Sequence, residues 1–500
     1  MALPLPELPT EPAPQAPRHG MAWLGYLLAV CLFTFPLAIR FTNHIAGMGD
    51  SPIYVWELWW FHHALFELHT NPLVTNLLFY PTKGVPLVWP SPYNDFLGLA
   101  TSWLFGPVLT YNLLVTSGLL LAAYGAYRLA FHVIRRRDAA FLAGLIYAFA
   151  PAHMEHVAAH LNVMSVQWAP YCVWALFCLY ERPTWRRAAL FGVALALASA
   201  VDVYVALYFL IAFAPTFCLY AFFTEREKFL RPAFFSKAAL MTALAFAVVA
   251  PAYWPMLQHI EGSATAVAQS ASVGRFGQDV LQLLVPPPTN PLLGALGRLV
   301  PRRMTDTDTW GYIGYTVLAL AVLGLRRGAR HTAVFFGLFA AVSVLLAFGV
   351  DLHVAGVHLC AMPYALLSKL PLLDNLRCPG RFMQVTALAL AVLAAMGAAW
   401  WFERLGRRAP WALAGVLVLL LVEFLTYAPF PTTPAAVPPF YAQLAHDKTA
   451  GALLELPNGD PSWGGPTYMW MYYQTQHGHP LVVAHTHRIP DGALDFIDHT

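Results

Sequence analysis

Apolar runs of near-spanning length dominate this chain and restrict its fold more than any other feature. They occur at 21–41, 109–133, 138–152, 163–180, 187–201, 203–223, 238–257, 311–325, 331–349, 382–402 and 411–428. A helix needs about 20 apolar residues to cross a bilayer. Only 11% of the 500 residues are charged, against about 25% in soluble globular proteins. The sequence therefore predicts an all-α polytopic membrane protein with about eleven transmembrane helices.

Two apolar runs are nearly continuous, and we divide them at Val201–Asp202. An unpaired carboxylate in the middle of a bilayer is costly, and a turn at the membrane surface removes that cost. Asp202 is thus expected at the end of a helix. It is a weak candidate for a functional acid.

Lysine and arginine in short loops predict the orientation of the helices. Every second connection is basic, and the residues concerned are Arg135, Arg136, Arg137, Arg182, Arg186, Arg187, Arg226, Lys228, Arg231, Lys237, Arg326, Arg327, Arg330, Arg404, Arg407 and Arg408. These loops and the N-terminus are assigned to the cytoplasm. A net charge of +3 gives no indication of nucleic-acid binding.

The long connections fall on the opposite, extracytoplasmic side. The predicted domains are a disordered cytoplasmic tail at 1–20, a transmembrane domain at 21–428 and a soluble α/β domain at 429–500, possibly truncated. Within 21–428 the long outer loops are 42–108, 258–310 and 350–381.

Long loops on one face of a membrane protein usually form or cover a functional site. Cys360 and Cys378 fall in the last of these loops, where pairing is one of two open alternatives.

The first outer loop carries the strongest candidate residue. Asp50 follows Gly49 just beyond the first apolar run, where a carboxylate can act as a general base or bind a metal. An aromatic and histidine-rich stretch follows, with Trp56, Trp59, Trp60, His62 and His63. The tryptophans share one helical face. They suit either a sugar-binding surface or an interfacial aromatic belt.

A second group of residues follows the third apolar run. His153, His156 and His160 share one helical face, and Glu155 lies between them in sequence. His156 and His160, together with Glu155 and Asp50, could bind a divalent metal such as Mg²⁺ or Mn²⁺. Interfacial polar residues that cap a helix would give the same pattern.

A third group is the pair Arg377 and Arg381, just before the tenth apolar run. Guanidinium groups bind phosphate oxygens bidentately, although arginines at a membrane surface also contact lipid headgroups. Weaker candidates are Asp306, Asp308, His477, His479, His485 and His487. The chain has no Gly-x-x-x-x-Gly-Lys phosphate loop and no Gly-x-Ser-x-Gly elbow, so nucleotide hydrolysis and serine hydrolysis have no support.

Together these features resemble the GT-C superfamily of membrane glycosyltransferases. The stretch from Gly49 to Trp60, the Arg377–Arg381 segment and the 472–478 segment are also similar to bacterial YfhO-type membrane proteins. GT-C enzymes take sugars from polyprenyl-phosphate carriers and transfer them to acceptors outside the cytoplasm. Their first outer loop supplies an acid that serves as catalytic base or metal ligand, and Asp50 matches that position.

The resemblance implies an inverting glycosyltransferase of the bacterial inner membrane, with a glycan, lipid or protein as acceptor. Asp50, Glu155 and His156 would be catalytic, and the residues expected to bind substrate are Trp59, Trp60, His62, His63, Arg377 and Arg381. A metal, if present, would be bound by Asp50, Glu155, His156 and His160. Two alternatives remain open at this point, a transporter or flippase of lipid-linked glycans and a non-catalytic envelope assembly protein.

The orientation can be tested with topology reporters. Fusions after Arg137, Arg187, Lys237, Arg330 and Arg408 should all report the cytoplasm, because each lies in or ends a basic loop. Fusions after Asp50 and at Thr500 should report the outer side. A cytoplasmic signal at Thr500 would contradict the assignment and would separate the tail from the first outer loop.

Overall fold

The computed structural model describes residues 19–87, 91–258, 276–298, 310–370, 373, 376–447, 451–456 and 467–485. Most of the N-terminal tail, Asp306, Asp308 and His487 lie outside the described residues. Helices dominate the described part of the chain. The division into three domains stays a prediction.

The helices are α1 His19–Phe33, α2 Ser51–His62, α3 Pro92–Phe105, α4 Pro107–Ile134, α5 Arg137–Phe149, α6 Pro151–Val157, α7 Leu161–Met164, α8 Ala169–Glu181, α9 Trp185–Val201, α10 Val203–Thr224, α11 Arg226–Phe229, α12 Pro232–Gln258, α13 Gly294–Gly297, α14 Tyr315–Arg327, α15 Arg330–Ala347, α16 Tyr364–Leu367, α17 Phe382–Leu405, α18 Ala409–Phe424, α19 Pro439–Leu444 and α20 Thr467–His477. Short 3₁₀ turns lie at Leu37–Ile39, Val280–Leu283, Pro379–Arg381 and Gly406–Arg408, and a π turn at His63–Glu67 extends α2.

Each predicted apolar run contains a helix, but the count of about eleven membrane crossings is not confirmed. Six helical stretches of the described residues are long and apolar enough to cross a membrane: Pro107–Ile134, Leu161–Glu181, Val203–Thr224, Pro232–Trp254, Arg330–Ala347 and Pro379–Phe424. Helices α5 and α14 have 13 residues each, which gives about 20 Å of rise. That is shorter than the hydrocarbon core of about 30 Å.

Helix α17 forms the centre of the bundle. It packs against α5, α14 and α15, and most of its residues are buried. Gly397 on α17 and Gly324 on α14 face each other's helices, and a Cβ at Gly397 would collide with the carbonyl oxygen of Leu320. Small residues allow two helix backbones to approach closely, as in other membrane helix pairs.

Three two-stranded sheets lie among the connections. They are formed by β1 His44–Ala46 with β6 Thr432–Pro434, β2 Val74–Thr75 with β3 Val85–Pro86, and β4 Asp351–Val354 with β5 Val357–Ala361, all antiparallel. In the first sheet Ile45 lies opposite Thr433. This pairing joins the first outer loop to the segment that follows the last apolar helix.

The C-terminal segment contains the helix predicted near residues 468–474, which is α20. The two strand-like runs of this segment meet in a single parallel bridge between Leu453 and Leu481. The described residues therefore do not confirm a soluble α/β domain. Instead, α20 packs on α2 of the first outer loop.

The close contact between α14 and α17 gives a stability prediction. Gly397→Ala should destabilise the protein by about 1–3 kcal/mol, because the added methyl group must push the two helices apart. Gly415→Ala on α18 is the matched control, since a Cβ there meets nothing within 4 Å and alanine has the better helix propensity. The measurement is thermal unfolding in detergent. A lower melting temperature for Gly415→Ala than for Gly397→Ala would contradict the packing.

Candidate functional site

Asp50 lies at the N-terminal end of α2, directly after a tight turn against residues 153–162, the short connection after the third apolar run that is here called the second outer loop. The Met48 amide donates to the Ala158 carbonyl at 2.7 Å, and Gly47 N–H donates to Pro431 O at 2.9 Å. Gly47 has φ +88°, and a Cβ at this position would collide with Ala158 O. Only glycine combines this conformation with so close an approach. The turn therefore fixes the start of α2 beside residue 158.

The Asp50 carboxylate meets side chains from two other segments. His160 Nε2 lies 3.6 Å from Asp50 Oδ2, with 17% of the Asp50 side chain exposed. The Tyr468 hydroxyl of α20 is hydrogen-bonded to Asp50, and burial together with the Asp50 charge and this bond raises the pKa of Tyr468. Asp50 does not cap α2 with its side chain. Its carboxylate is thus held between the second outer loop and the C-terminal segment.

His156 extends this arrangement into the interior. Its Nδ1 lies 3.3 Å from His160 Nδ1, and the two rings form an edge-to-face pair with centroids 5.4 Å apart. Only 2% of His156 is exposed. Asp50, His160 and His156 therefore form one connected row of polar side chains.

Glu155 points to a different partner. Its Oε2 accepts a hydrogen bond from Trp310 N–H at 3.2 Å, so it contacts the segment that leads into α14. The remaining predicted histidine, His153, is 1% exposed, and its Nε2 lies 2.7 Å from Met164 O. Burial lowers the pKa of His153. His153 is therefore a buried residue of the α6–α7 region.

The proposed metal ligands do not form a metal site in the described part of the chain. No group of three or more His, Cys, Asp or Glu side chains among these residues is arranged to hold a metal ion. Asp50, His160 and His156 lie in a row and do not surround a common point, because His160 Nε2 faces Asp50 and His160 Nδ1 faces His156. A divalent ion does not fit this arrangement.

The aromatic residues of α2 divide into buried and accessible members. Trp56 and Trp60 are 1% and 3% exposed. Their indole N–H groups donate to Gln474 Oε1 at 2.7 Å and to Pro72 O at 2.9 Å. The structure places Trp60 in the interior of the outer region, where it packs rather than presents a face to solvent. Trp59 is partly accessible and stacks on His63 with centroids 4.7 Å apart.

Two histidines at the end of α2 share one carboxylate. Glu67 Oε2 lies 2.9 Å from His63 Nδ1, and Glu67 Oε1 lies 3.9 Å from His62 Nδ1. Glu67 is 57% exposed at the side chain, and both histidines retain more than 20% exposure. With Trp59, they form an accessible polar and aromatic surface one helix length from Asp50.

The predicted arginine pair lies at the start of α17. Arg377 is exposed, and Arg381 is partly buried at the end of the 3₁₀ turn Pro379–Arg381. Arg381 lines a cavity of about 20 Å³ with Tyr147, Tyr208 and Gln384, a volume suited to roughly one water molecule. Asp50, His156 and His160 are not among the residues that line this cavity.

The two cysteines of the outer segment 350–381 are not bonded to each other. Cys360 is exposed on β5 and Cys378 is buried before the 3₁₀ turn, and neither forms a disulfide. Pairing was one of the alternatives that the sequence left open.

Two acids that the sequence did not single out lie where α2 and α3 pack together. Glu57 on α2 is only partly exposed. Burial raises the pKa of Glu57. Burial and the Glu57 carboxyl also raise the pKa of Asp95 on α3, which is 3% exposed. Helices α2 and α3 pack closely, with Leu58 against Gly98, and sequence periodicity gives no sign of this contact.

Residues 22–424 match the family described as Domain of unknown function (DUF6311). The chain belongs to this family. No curated protein matches the chain. The similarity to YfhO-type proteins is not confirmed.

Several solved structures share the fold. An oligosaccharyltransferase from Archaeoglobus fulgidus aligns with a TM-score of 0.56 and 14% identity, over 93% of this chain and 62% of that protein. The arabinofuranosyltransferase AftD from mycobacteria aligns with a TM-score of 0.52 and 19% identity, over 94% of this chain and 32% of AftD. ArnT from Cupriavidus metallidurans in the apo state aligns with a TM-score of 0.50 and 14% identity, over 93% of this chain and 86% of ArnT.

These proteins are GT-C glycosyltransferases, so the predicted GT-C resemblance is confirmed for the fold. The chain is a multi-pass membrane protein of this architecture. It spans less than two thirds of the oligosaccharyltransferase and about a third of AftD. At such identities the likeness concerns the fold, and activity must be argued from the site.

The raised pKa values of Glu57 and Asp95 give a pH-dependent stability prediction. A raised pKa means that the folded state holds a proton that the unfolded state releases above about pH 4.3, so stability should fall as the pH rises through the neutral range. Glu57→Gln should flatten this dependence, because glutamine is neutral at all pH values. The measurement is the melting temperature in detergent from pH 5 to pH 9.

The matched control for this test is Glu403→Gln, which changes an exposed glutamate near the end of α17. Its melting temperature should follow the wild-type pH dependence. Identical curves for Glu57→Gln and the wild type would show that Glu57 is ionised in the folded protein at neutral pH.

Proposed function

We propose that this protein is a membrane glycosyltransferase that moves a sugar from a polyprenyl-phosphate donor to an extracytoplasmic acceptor with inversion, and that Asp50 is the general base. One observation carries the proposal. The carboxylate at the start of α2 is met by His160 from the second outer loop and by Tyr468 from the C-terminal segment. Three distant parts of a GT-C fold thus converge on one partly accessible acid.

The reaction requires little more than a positioned base and a stabilised leaving group. The acceptor hydroxyl gives its proton to the Asp50 carboxylate, and its oxygen attacks C1 of the sugar. The bond between C1 and the phosphate oxygen breaks, and the lipid phosphate leaves with the electron pair. A general base within hydrogen-bonding reach typically contributes about 10²–10⁴-fold to such a step.

His160, His156 and Glu155 support this step in different ways. His160 lies 3.6 Å from Asp50 and orients the carboxylate, while His156 holds His160 from the buried side. Glu155 binds the Trp310 amide and so keeps the segment before α14 close to the same loop. No step is assigned to a metal, because the groups proposed as ligands form a row.

The donor phosphate is assigned to Arg381 and Arg377. Both lie at the N-terminal end of α17, and Arg381 borders the small cavity between α8, α10 and α17. A planar guanidinium is suited to a phosphate that arrives from the bilayer. The accessible surface of Trp59, His62 and His63 is assigned to the sugar or the acceptor. The protein is placed in the bacterial cytoplasmic membrane with about eleven crossings, its N-terminus in the cytoplasm and its C-terminus outside.

The decisive variant is Asp50→Asn. It should reduce sugar transfer by about 10²–10⁴-fold, because asparagine cannot accept the acceptor's proton. The protein should still fold, since Asn is nearly isosteric and Asp50 caps no helix with its side chain. The assay is transfer from a polyprenyl-phosphate sugar to an acceptor glycan by purified protein in liposomes.

Asp351→Asn is the matched control for this assay. Asp351 is a carboxylate of the exposed β4–β5 hairpin, with 40% of its side chain exposed, and its amide variant should transfer at the wild-type rate. Wild-type transfer by Asp50→Asn would remove Asp50 as the base. Movement of an intact lipid-linked glycan across the liposome membrane, without transfer, would instead identify a flippase.

A further inference from the structure

Asp202 is more than the end of a helix. Its Oδ1 accepts hydrogen bonds from Tyr204 N–H at 2.7 Å and from Val205 N–H at 3.1 Å, which caps α10. Its Oδ2 accepts a third bond from Asn162 Nδ2 at 2.8 Å. Asp202 is 4% exposed, and both of its carboxylate oxygens accept hydrogen bonds. The same buried side chain therefore caps α10 and holds Asn162.

Asn162 connects Asp202 to the helix that carries Asp50. Its Oδ1 accepts a hydrogen bond of 2.5 Å from the Tyr54 hydroxyl. Tyr54 and Asn162 are 5% and 8% exposed. Tyr54 lies one helical turn after Asp50 on α2, and Asn162 lies two residues after His160. The chain Asp202–Asn162–Tyr54 therefore joins the turn between α9 and α10 to both sides of the Asp50–His160 contact.

A backbone hydrogen bond restrains the Asp50–His160 pair on the N-terminal side of both residues. Met48 N–H donates to Ala158 O two residues before Asp50 and two residues before His160. The Tyr54–Asn162 hydrogen bond lies on the C-terminal side of the same pair, because Tyr54 is four residues after Asp50 and Asn162 is two residues after His160. The Asp50–His160 contact thus lies between two restraints, and the second of them depends on side chains alone.

We propose that Tyr54, Asn162 and Asp202 are positioning residues that set the placement of His160 against Asp50. This inference rests on the proposed function for its effect on rate, although the placement itself can be measured without activity. The three side chains touch neither Asp50 nor His160 in the contacts described above. They act by holding α7 at a fixed distance from α2.

The chemistry of Asn162 favours positioning over proton transfer. A primary amide donates through nitrogen and accepts through oxygen, and it does not carry a proton from one partner to the other. Its two bonds are instead directional supports in a buried setting, where losing one partner leaves the other polar group unsatisfied. Removing the side chain of Tyr54, Asn162 or Asp202 therefore leaves a buried polar group of its hydrogen-bonded neighbour without that partner.

Asp202→Asn separates the two roles of that residue. Asparagine is also a good N-cap, so α10 should keep its start when the amide oxygen accepts from Tyr204 and Val205. The amide NH₂ then faces the NH₂ of Asn162, so the wild-type pattern of hydrogen bonds is lost, and Asn162 can regain a bond to residue 202 only by rotating its NH₂ toward the Tyr54 hydroxyl. Together with Tyr54→Phe and Asn162→Ala, this gives three independent ways to break the chain.

Each of the three variants should lower kcat by about 10- to 100-fold, because a displacement near 1 Å at the reacting groups has effects of that size. KM should change little, since no proposed substrate contact is removed. Matched controls are Asn43→Ala and Tyr80→Phe, both at exposed outer-face positions, which should retain the wild-type kcat.

A double-mutant cycle with His160→Ala distinguishes positioning from general damage. If Asn162 acts through His160, then Asn162→Ala should cost nothing further in the His160→Ala background. A merely structural loss would lower the activity of both backgrounds by the same factor. Additive effects in this cycle would therefore overturn the proposal, even if Asp50→Asn behaves as expected.

A second readout needs no transferase activity. Diethyl pyrocarbonate modifies accessible imidazoles, and the side chain of His160 is 26% exposed. The rate of modification at His160, mapped by mass spectrometry, should rise in Tyr54→Phe, Asn162→Ala and Asp202→Asn and stay unchanged in the two controls. An unchanged rate in all three variants would overturn the positioning role. Absence of sugar transfer by the wild type would overturn the proposed function alone.

Discussion

The backbone contact between the first and second outer loops determines how the rest of the site is arranged. Gly47 has a positive φ, and its missing Cβ leaves room for the Ala158 carbonyl, to which the next residue, Met48, donates its N–H. Asp50 follows within one turn. Because the backbones are in contact here, a side chain as short as aspartate can reach His160 on the other loop. Any larger residue at position 47 would separate the two loops.

The helical bundle supports this contact through close packing of its central helices. Glycines at the α14–α17 interface let the central helices pack closely. Among the connecting segments, α2 packs against α3 and α20.

The sequence predicted the parts of this protein that depend on local pattern. The apolar runs located the helices. The shared helical face predicted for His156 and His160 is interrupted, because α6 ends at Val157, although the two rings still meet. Short helices such as α5 could not be separated from spanning ones by hydropathy alone, because burial inside a bundle and immersion in lipid select the same residues. The number of crossings could therefore not be read from composition.

Other parts depend on contacts between distant segments, and the sequence contains no local trace of them. Tyr468 lies more than four hundred residues after Asp50, and nothing in its neighbourhood distinguishes it from the other tyrosines of the tail. Glu57 looks like an ordinary polar residue of an amphipathic helix until α3 is packed beside it. Asp202 is an evident helix cap in the sequence, but its bond to Asn162 requires the fold.

The position of Tyr468 follows from an interaction elsewhere on the same helix. Trp56 on α2 donates its indole N–H to Gln474 on α20, and the Gln474 amide donates in turn to Leu77 O and His479 O. Every polar group of this buried glutamine side chain is thus engaged, which fixes α20 against α2 in one register. Tyr468 lies almost two turns before Gln474, and Asp50 lies almost two turns before Trp56. The buried Trp56–Gln474 bond at one end of this helix pair therefore brings the Tyr468 hydroxyl to the Asp50 carboxylate at the other. This is why the C-terminal segment belongs to the site even though the acid itself comes from the first outer loop.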